Sequence, residues 1–147
     1  MNPEQTKKIL KCMASQRHAV IATNCHDRAP ESATVGFAEK PNLELVFGTW
    51  TSTRKYQNLE HDNRVSFVIG FESGVLIQYE GTAHQIEHTE ADVELYLNKK
   101  PSARKHMNDA DQVWFRVKPT WIRYSDFGQE PHEIFEVDQF NDKGTLS

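Results

Sequence analysis

The sequence predicts a mainly β fold of the α+β class, about six strands rolled into a small barrel with helices at its flanks. Short runs of alternating or β-branched residues recur along the chain, each bounded by turn residues. Helical patterning is confined to a few short segments. The 147 residues contain no internal repeat and no low-complexity linker, so residues 1–147 are expected to form a single domain.

Asn2 as N-cap and Pro3 at the first helical position open a helix over residues 2–15, with Ile9, Leu10 and Met13 as its apolar stripe. HAVIAT (18–23) reads as the first strand, and the polar turn NCHDRAP leads to a second at 31–38. That second strand is made of small side chains, Ser32, Ala33, Thr34 and Gly36. Small residues let either a flat ligand or a neighbouring element come close to the backbone. After the turn EKPN (39–42), Leu43, Leu45 and Phe47 alternate as a half-buried strand should, and Val65 to Ile69 forms another short apolar run. A turn at Glu72, Ser73 and Gly74 precedes one long strand over 75–87, with Val75, Ile77 and Tyr79 on one face and a bulge at Gly81. Thr89 with Asp92 is placed as the cap of a helix whose apolar side is Val93, Leu95 and Tyr96, and Pro101 opens a further helical piece. QVWFRVK and TWIRYSDF read as two last strands broken by Pro119. The tail from Glu130 carries Phe135, Val137 and Phe140 toward a partner.

Composition excludes several classes. A hydrophobic content of 37% leaves little for a self-sufficient monomeric core, so a dimer sharing apolar surface is expected. The net charge of −4 argues against general attraction to nucleic acid, and Trp50, Tyr56, Trp114 and Trp121 are read as core or interface residues rather than base-stacking platforms. No long apolar run, signal-peptide pattern or lipidation motif occurs, which predicts a cytoplasmic protein without membrane contact. Cys12 and Cys25 show no CxxC spacing and are read as reduced thiols. Of the seven histidines, His84 and His88 are the closest approach to a metal pair, but four residues of strand span about 13 Å, so no metal site is expected. GxGxxG, P-loop and GxSxG patterns are absent from the sequence. No catalytic residue of the chain's own stands out, as when a cofactor carries the chemistry.

The stretch that organises the rest is residues 43–70, strand, short polar helix, strand. Its middle, TWTSTRKYQN, places Thr49, Thr51, Ser52 and Thr53 where a strand hands over to a helix, with Ser52 or Thr53 as the N-cap and Arg54 and Lys55 directly behind. Helix N-termini offer unpaired N–H groups and a partial positive charge, so these residues make a seat for a phosphate. They also suit an exposed, capped surface helix with solvated charges.

The order LVFGT…S…RK…N…N.RVSF, followed by V..EGTAHQIE, resembles the FMN-binding split-barrel family of pyridoxamine 5'-phosphate oxidase. YLNKKPSA (96–103) and WFRVKPTWIRYSD (114–126) resemble the second half of its small bacterial members. The resemblance implies a six-stranded split β-barrel, a homodimer, and FMN lying between two subunits. It places the flavin phosphate on Ser52, Arg54 and Lys55, with Thr49 and the backbone of Ser32, Ala33, Thr34 and Val35 along the ring and ribityl chain. Asn58 supports that turn, and Gln78 and Trp121 approach the flavin from either subunit. The implied activity is an FMN-dependent oxidoreductase acting on an unknown small molecule or on reduced nicotinamide. The alternative is a flavin-binding protein without turnover: a redox sensor, a stress-related flavin store or an electron carrier. The SRP…S..GAW and W…RL.P segments of the vitamin B6 oxidases are absent, so oxidation of pyridoxamine 5'-phosphate itself is not expected.

Overall fold

The computed structural model describes residues 3–140, so the Asn2 cap lies outside the described residues. Helix α1 (Pro3–Ala14) starts on proline and buries Ile9, Cys12 and Met13. Eight strands follow: β1 (His18–Asn24), β2 (Pro30–Gly36), β3 (Ala38–Glu39), β4 (Leu45–Trp50), β5 (Arg64–Ile69), β6 (Val75–Ile86), β7 (Gln112–Asp126) and β8 (Glu133–Val137). Helix α2 (Arg54–His61) joins β4 to β5, while α3 (Ala91–Lys99) and a 3-10 helix (Pro101–His106) join β6 to β7. All pairings are antiparallel, in the order β2-β1-β5-β6-β7-β4-β3, with β8 added to β7. The runs read as strands fall on β1, β2, β4, β5 and β6, and the last two of them together on β7; β3 and β8 are the additions.

The two ends of this sheet, β2 and β3, are separated in sequence by Phe37 alone, so the sheet curls round until its first and last strands are one run of chain. Inside the curl lie Leu45, Phe47, Phe67, Tyr79 and Phe115, all buried. Phe47 stacks on Phe115 with centroids 5.3 Å apart, and Phe67 meets Tyr79 edge-on at 5.7 Å. The Tyr79 hydroxyl donates to the Leu43 carbonyl at 2.8 Å, which satisfies the polar tip of a wholly buried ring. A second cluster, Ala38, Val46, Val93, Tyr96, Leu97 and Trp114, fills the space between β4 and α3. That is why β4 is buried on both faces around Leu45, Val46 and Phe47.

Four expectations are corrected. Leu43 is not in the strand: it stands in the preceding turn at φ 71°, its N–H bonded to the Lys40 carbonyl, and its side chain is fully buried. Alternation put it on the right face but not in the right conformation. Pro119 does not break β7. It lies opposite Gly81, where the register shifts and Thr120 is left as an extra residue, its hydroxyl donating to the Glu80 carbonyl at 3.2 Å. A proline is tolerated where a bulge already removes a ladder bond. The α3 cap is Glu90 without a side-chain bond, not Thr89. Finally, the tail folds on its own chain: Phe135 stacks on Tyr124 at 4.9 Å, Val137 is buried, and Phe140 packs on the core.

Candidate functional site

Where β4 passes into α2, the hydroxyls form a chain. Thr53 accepts the Tyr56 N–H at 3.3 Å and donates to the Trp50 carbonyl at 2.8 Å; having only one proton, it must then accept from the buried Thr49 hydroxyl at 3.0 Å. Thr53 is therefore the N-cap. Thr53→Ala is expected to lower stability by about 1 kcal/mol, read from the urea midpoint at unchanged slope.

Arg54 and Lys55 are the first two helical residues, and the first turn of α2 holds no acidic residue. Cations at a helix N-terminus face the positive end of its dipole, a local electrostatic conflict that an anion seated there would resolve. Arg54 has a partner, since its guanidinium pairs with the Glu31 carboxylate on β2. Lys55 is half-buried and has neither hydrogen bond nor ion pair among the described residues. Burial pushes its ammonium below the usual 10.5. A base whose folded-state pKa is lowered costs stability while charged, so this cost is lifted as pH rises from the lowered value toward 10.5. An anion beside Lys55 would raise that pKa, so its binding would take up protons and weaken as pH climbs through the same range.

Lys55 lines two cavities. The lower, of about 300 Å³, is bounded by Thr23, Glu31, Ser32, Ala33, Thr53, Arg54 and Asn58. Asn58 is 5% exposed and its amide donates to Thr23 Oγ1 at 2.9 Å and to Glu31 Oε1 at 2.7 Å. The upper, of about 210 Å³, runs from Lys55 past Thr34, Val35, Gly36 and Thr49 to Tyr96, His106, Gln112 and Trp114. Here backbone and side chains approach closely. A Cβ on Gly36 would lie 2.4 Å from Lys100 Nζ and 2.6 Å from the Tyr96 hydroxyl, and one on Gly48 would lie 2.9 Å from the Trp114 ring. Trp114 Nε1 is buried without a hydrogen-bond partner among the described residues. Strand β2 is an end of the sheet order, and Ser32, Ala33 and Thr34 are exposed along it.

Of the residues the sequence singles out, Ser32, Ala33, Arg54, Lys55 and Asn58 meet at the lower cavity, and Thr34, Val35, Thr49 and again Lys55 at the upper. Ser52 is exposed and lines neither. Gln78 and Trp121 lie elsewhere on β6 and β7; Trp121 Nε1 donates to Glu136 at 2.7 Å. Sequence reasoning missed Thr23 and Glu31 below, and Tyr96, His106 and Gln112 above. It also missed Lys100, whose Nζ is 3.1 Å from His18 Nε2; its charge, with burial and Arg17, lowers the His18 pKa from 6.5. Strand pairing and α3 packing bring these residues in, and no local motif marks them.

A larger hollow, of about 530 Å³, lies among Asn24, Arg64, Ser66, Glu80 and Thr120. Its lining cation is already satisfied, Arg64 being closed onto Asp62 at 2.7 Å. Chemistry rather than size favours the cleft at α2. Among the described residues no group of three or more His, Cys, Asp or Glu side chains is placed to hold a metal ion, and no helix is long and apolar enough to cross a membrane.

A curled antiparallel sheet with few helices, opening beside a helix that starts on two cations, defines a protein of the split-barrel class. The chain belongs to the pyridoxamine 5'-phosphate oxidase family, whose sequence model, described as pyridoxamine 5'-phosphate oxidase, matches residues 5–126. No curated protein matches it. Among solved structures, a haem-binding protein from Mycobacterium smegmatis superimposes with a TM-score of 0.79 at 18% identity, over 94% of this chain and 59% of that one. General Stress Protein 26 from Bacillus anthracis matches with a TM-score of 0.70 at 24% identity, over 91% and 99% of the two chains. A pyridoxamine 5'-phosphate oxidase-related, FMN-binding protein from Nostoc punctiforme gives 0.69 at 14% identity, over 100% and 95%. At these identities the likeness is one of fold.

Proposed function

We propose that this chain binds FMN and serves as an FMN-dependent oxidoreductase, working on a small molecule or on reduced nicotinamide. The observation that carries the reading is the half-buried Lys55, without a partner among the described residues, beside Arg54 at a helix N-terminus that lacks any acidic residue. Family membership supports the same cofactor class. The residues present fit the group. Lys55 and Arg54 would hold the phosphate, the exposed Ser52 would reach it only by turning in from the surface, Thr53 would cap the helix behind them, and the buried Asn58 would brace the turn. The free edge of β2 from Ser32 to Val35, with Thr49, would lie along the ribityl chain and ring. Bound there, the flavin supplies hydride and electron exchange, while the chain positions it and excludes water. A non-catalytic flavin carrier would use the same residues, and steady-state consumption of NADH or NADPH with a panel of acceptors separates the two.

One observation favours a second reading, haem. His106 lines the upper cavity with Nδ1 3.1 Å from Asp109 Oδ2, a contact that would leave Nε2 as a nitrogen able to ligate iron, and one protein of this fold is haem-binding. The visible spectrum of the purified protein, and of the small molecule released on denaturation, tests the proposal: flavin bands and a released phosphorylated flavin support it, and a Soret band overturns it.

The proposed assembly is a homodimer in the cytoplasm; Gln78 and Trp121, which line neither cavity of this chain, would reach a flavin only from the other subunit. Support comes from the modest apolar content and from the exposed Phe71, Phe127 and Ile134. Sedimentation at micromolar concentration is expected to give a particle of two 17.0 kDa chains; a monomer with flavin still bound would remove the shared-cleft placement.

A further inference from the structure

The lower cavity contains a group that an anion seat would not be expected to hold. Glu31 projects from β2 into the cavity that Arg54, Lys55 and Thr53 also line. Its carboxylate pairs with the Arg54 guanidinium and accepts the Asn58 amide at 2.7 Å. The two partners of that ion pair differ in freedom. The Arg54 side chain is 79% exposed, whereas Glu31 is 19% exposed and its backbone is locked opposite Thr23 in the β1–β2 ladder. A dianion entering the cavity therefore meets a fixed carboxylate and a movable guanidinium.

We infer that Glu31 is a built-in counter-ligand, a carboxylate that occupies Arg54 and Asn58 and competes with the phosphate of the cofactor for the same donors. This rests on the phosphate seat proposed above. Binding must either draw Arg54 away from Glu31 or leave two anions side by side, and both oppose the attraction of Lys55. Neutral riboflavin escapes this competition. Glu31 thus sets the affinity for phosphorylated flavin specifically, and keeps FMN an exchangeable ligand rather than a permanently held group.

The test is titration of wild type and Glu31→Gln with FMN and with riboflavin, by quenching of flavin fluorescence. Glutamine keeps the acceptor for Asn58 and removes the charge. FMN is expected to bind the variant about tenfold more tightly, a gain of about 1.4 kcal/mol, with riboflavin changed less than twofold. If FMN binds the variant equally or more weakly, Glu31 positions Arg54 rather than competing with phosphate, and the inference is overturned. If neither wild type nor Glu31→Gln distinguishes FMN from riboflavin, the phosphate seat itself is wrong and the inference falls with it. Should Glu31→Gln fail to fold, Glu31→Ser is read in the same way; failure of both would make Glu31 a structural residue and also overturn the inference.

Discussion

Lys55→Ala is expected to weaken FMN by roughly ten- to a hundredfold while leaving riboflavin nearly unchanged. The reason is that Lys55 has no other partner among the described residues, so an ionic contact with phosphate would be all gain. A charge-assisted hydrogen bond contributes ~1.5–3 kcal/mol, and each decade of affinity corresponds to about 1.4 kcal/mol. Arg54→Ala is expected to cost FMN less, because its guanidinium must first leave Glu31. The double variant should lose less than the sum of the two, since both side chains would serve one phosphate. Flavin titration with both ligands measures all of this. Equal FMN affinities in wild type and the Lys55 variant would return α2 to the status of a solvated surface helix, where such substitutions shift stability by less than about half a kcal/mol.

Gly81→Ala is expected to destabilise the fold by about 3 kcal/mol, lowering Tm by roughly 6–12 °C at ~2–4 °C per kcal/mol for a chain of this size. A Cβ on Gly81 would stand 2.3 Å from the Lys118 carbonyl oxygen and 3.1 Å from its carbon. These are backbone atoms, so no rotamer change relieves the contact; the β6–β7 ladder, the longest in the sheet, would have to part at its bulge. Differential scanning calorimetry or thermal circular dichroism checks it. A variant melting within a degree or two of wild type would mean that the bulge absorbs the methyl by sliding, and that the close approach is not what fixes glycine there.

The sequence carried much of this arrangement, for reasons that differ by element. Long-period signals were legible: the proline-led α1, the run of β6 with its bulge at Gly81, and the strand–hydroxyl–cation passage at residues 49–55. These depend on neighbours in the chain. Signals were lost where distant residues decide the outcome. Pro119 reads as a strand breaker until Gly81 is known to stand opposite it. Leu43 reads as strand until the Tyr79 hydroxyl is seen to claim its carbonyl. Glu31 looks like an ordinary acid in a strand of small residues, and only the fold of α2 over β2 brings it to Arg54 and Asn58. Thr53 rather than Ser52 as cap was a choice between adjacent hydroxyls that the Thr49 and Trp50 contacts decide.

The passage from β2 through Phe37 to β3 gives the barrel a seam. On one side of Phe37 the chain is hydrogen-bonded to β1, and on the other to β4. The same run borders both cavities, through Ser32 and Ala33 below and Thr34 to Gly36 above. A ligand spanning Lys55 and the edge of β2 would therefore act as a clasp across the seam, tying the β4–α2 side of the barrel to the strand that closes it. Occupancy of the cleft and closure of the barrel would then be linked equilibria, and a ligand's affinity would be returned to the fold as resistance to opening.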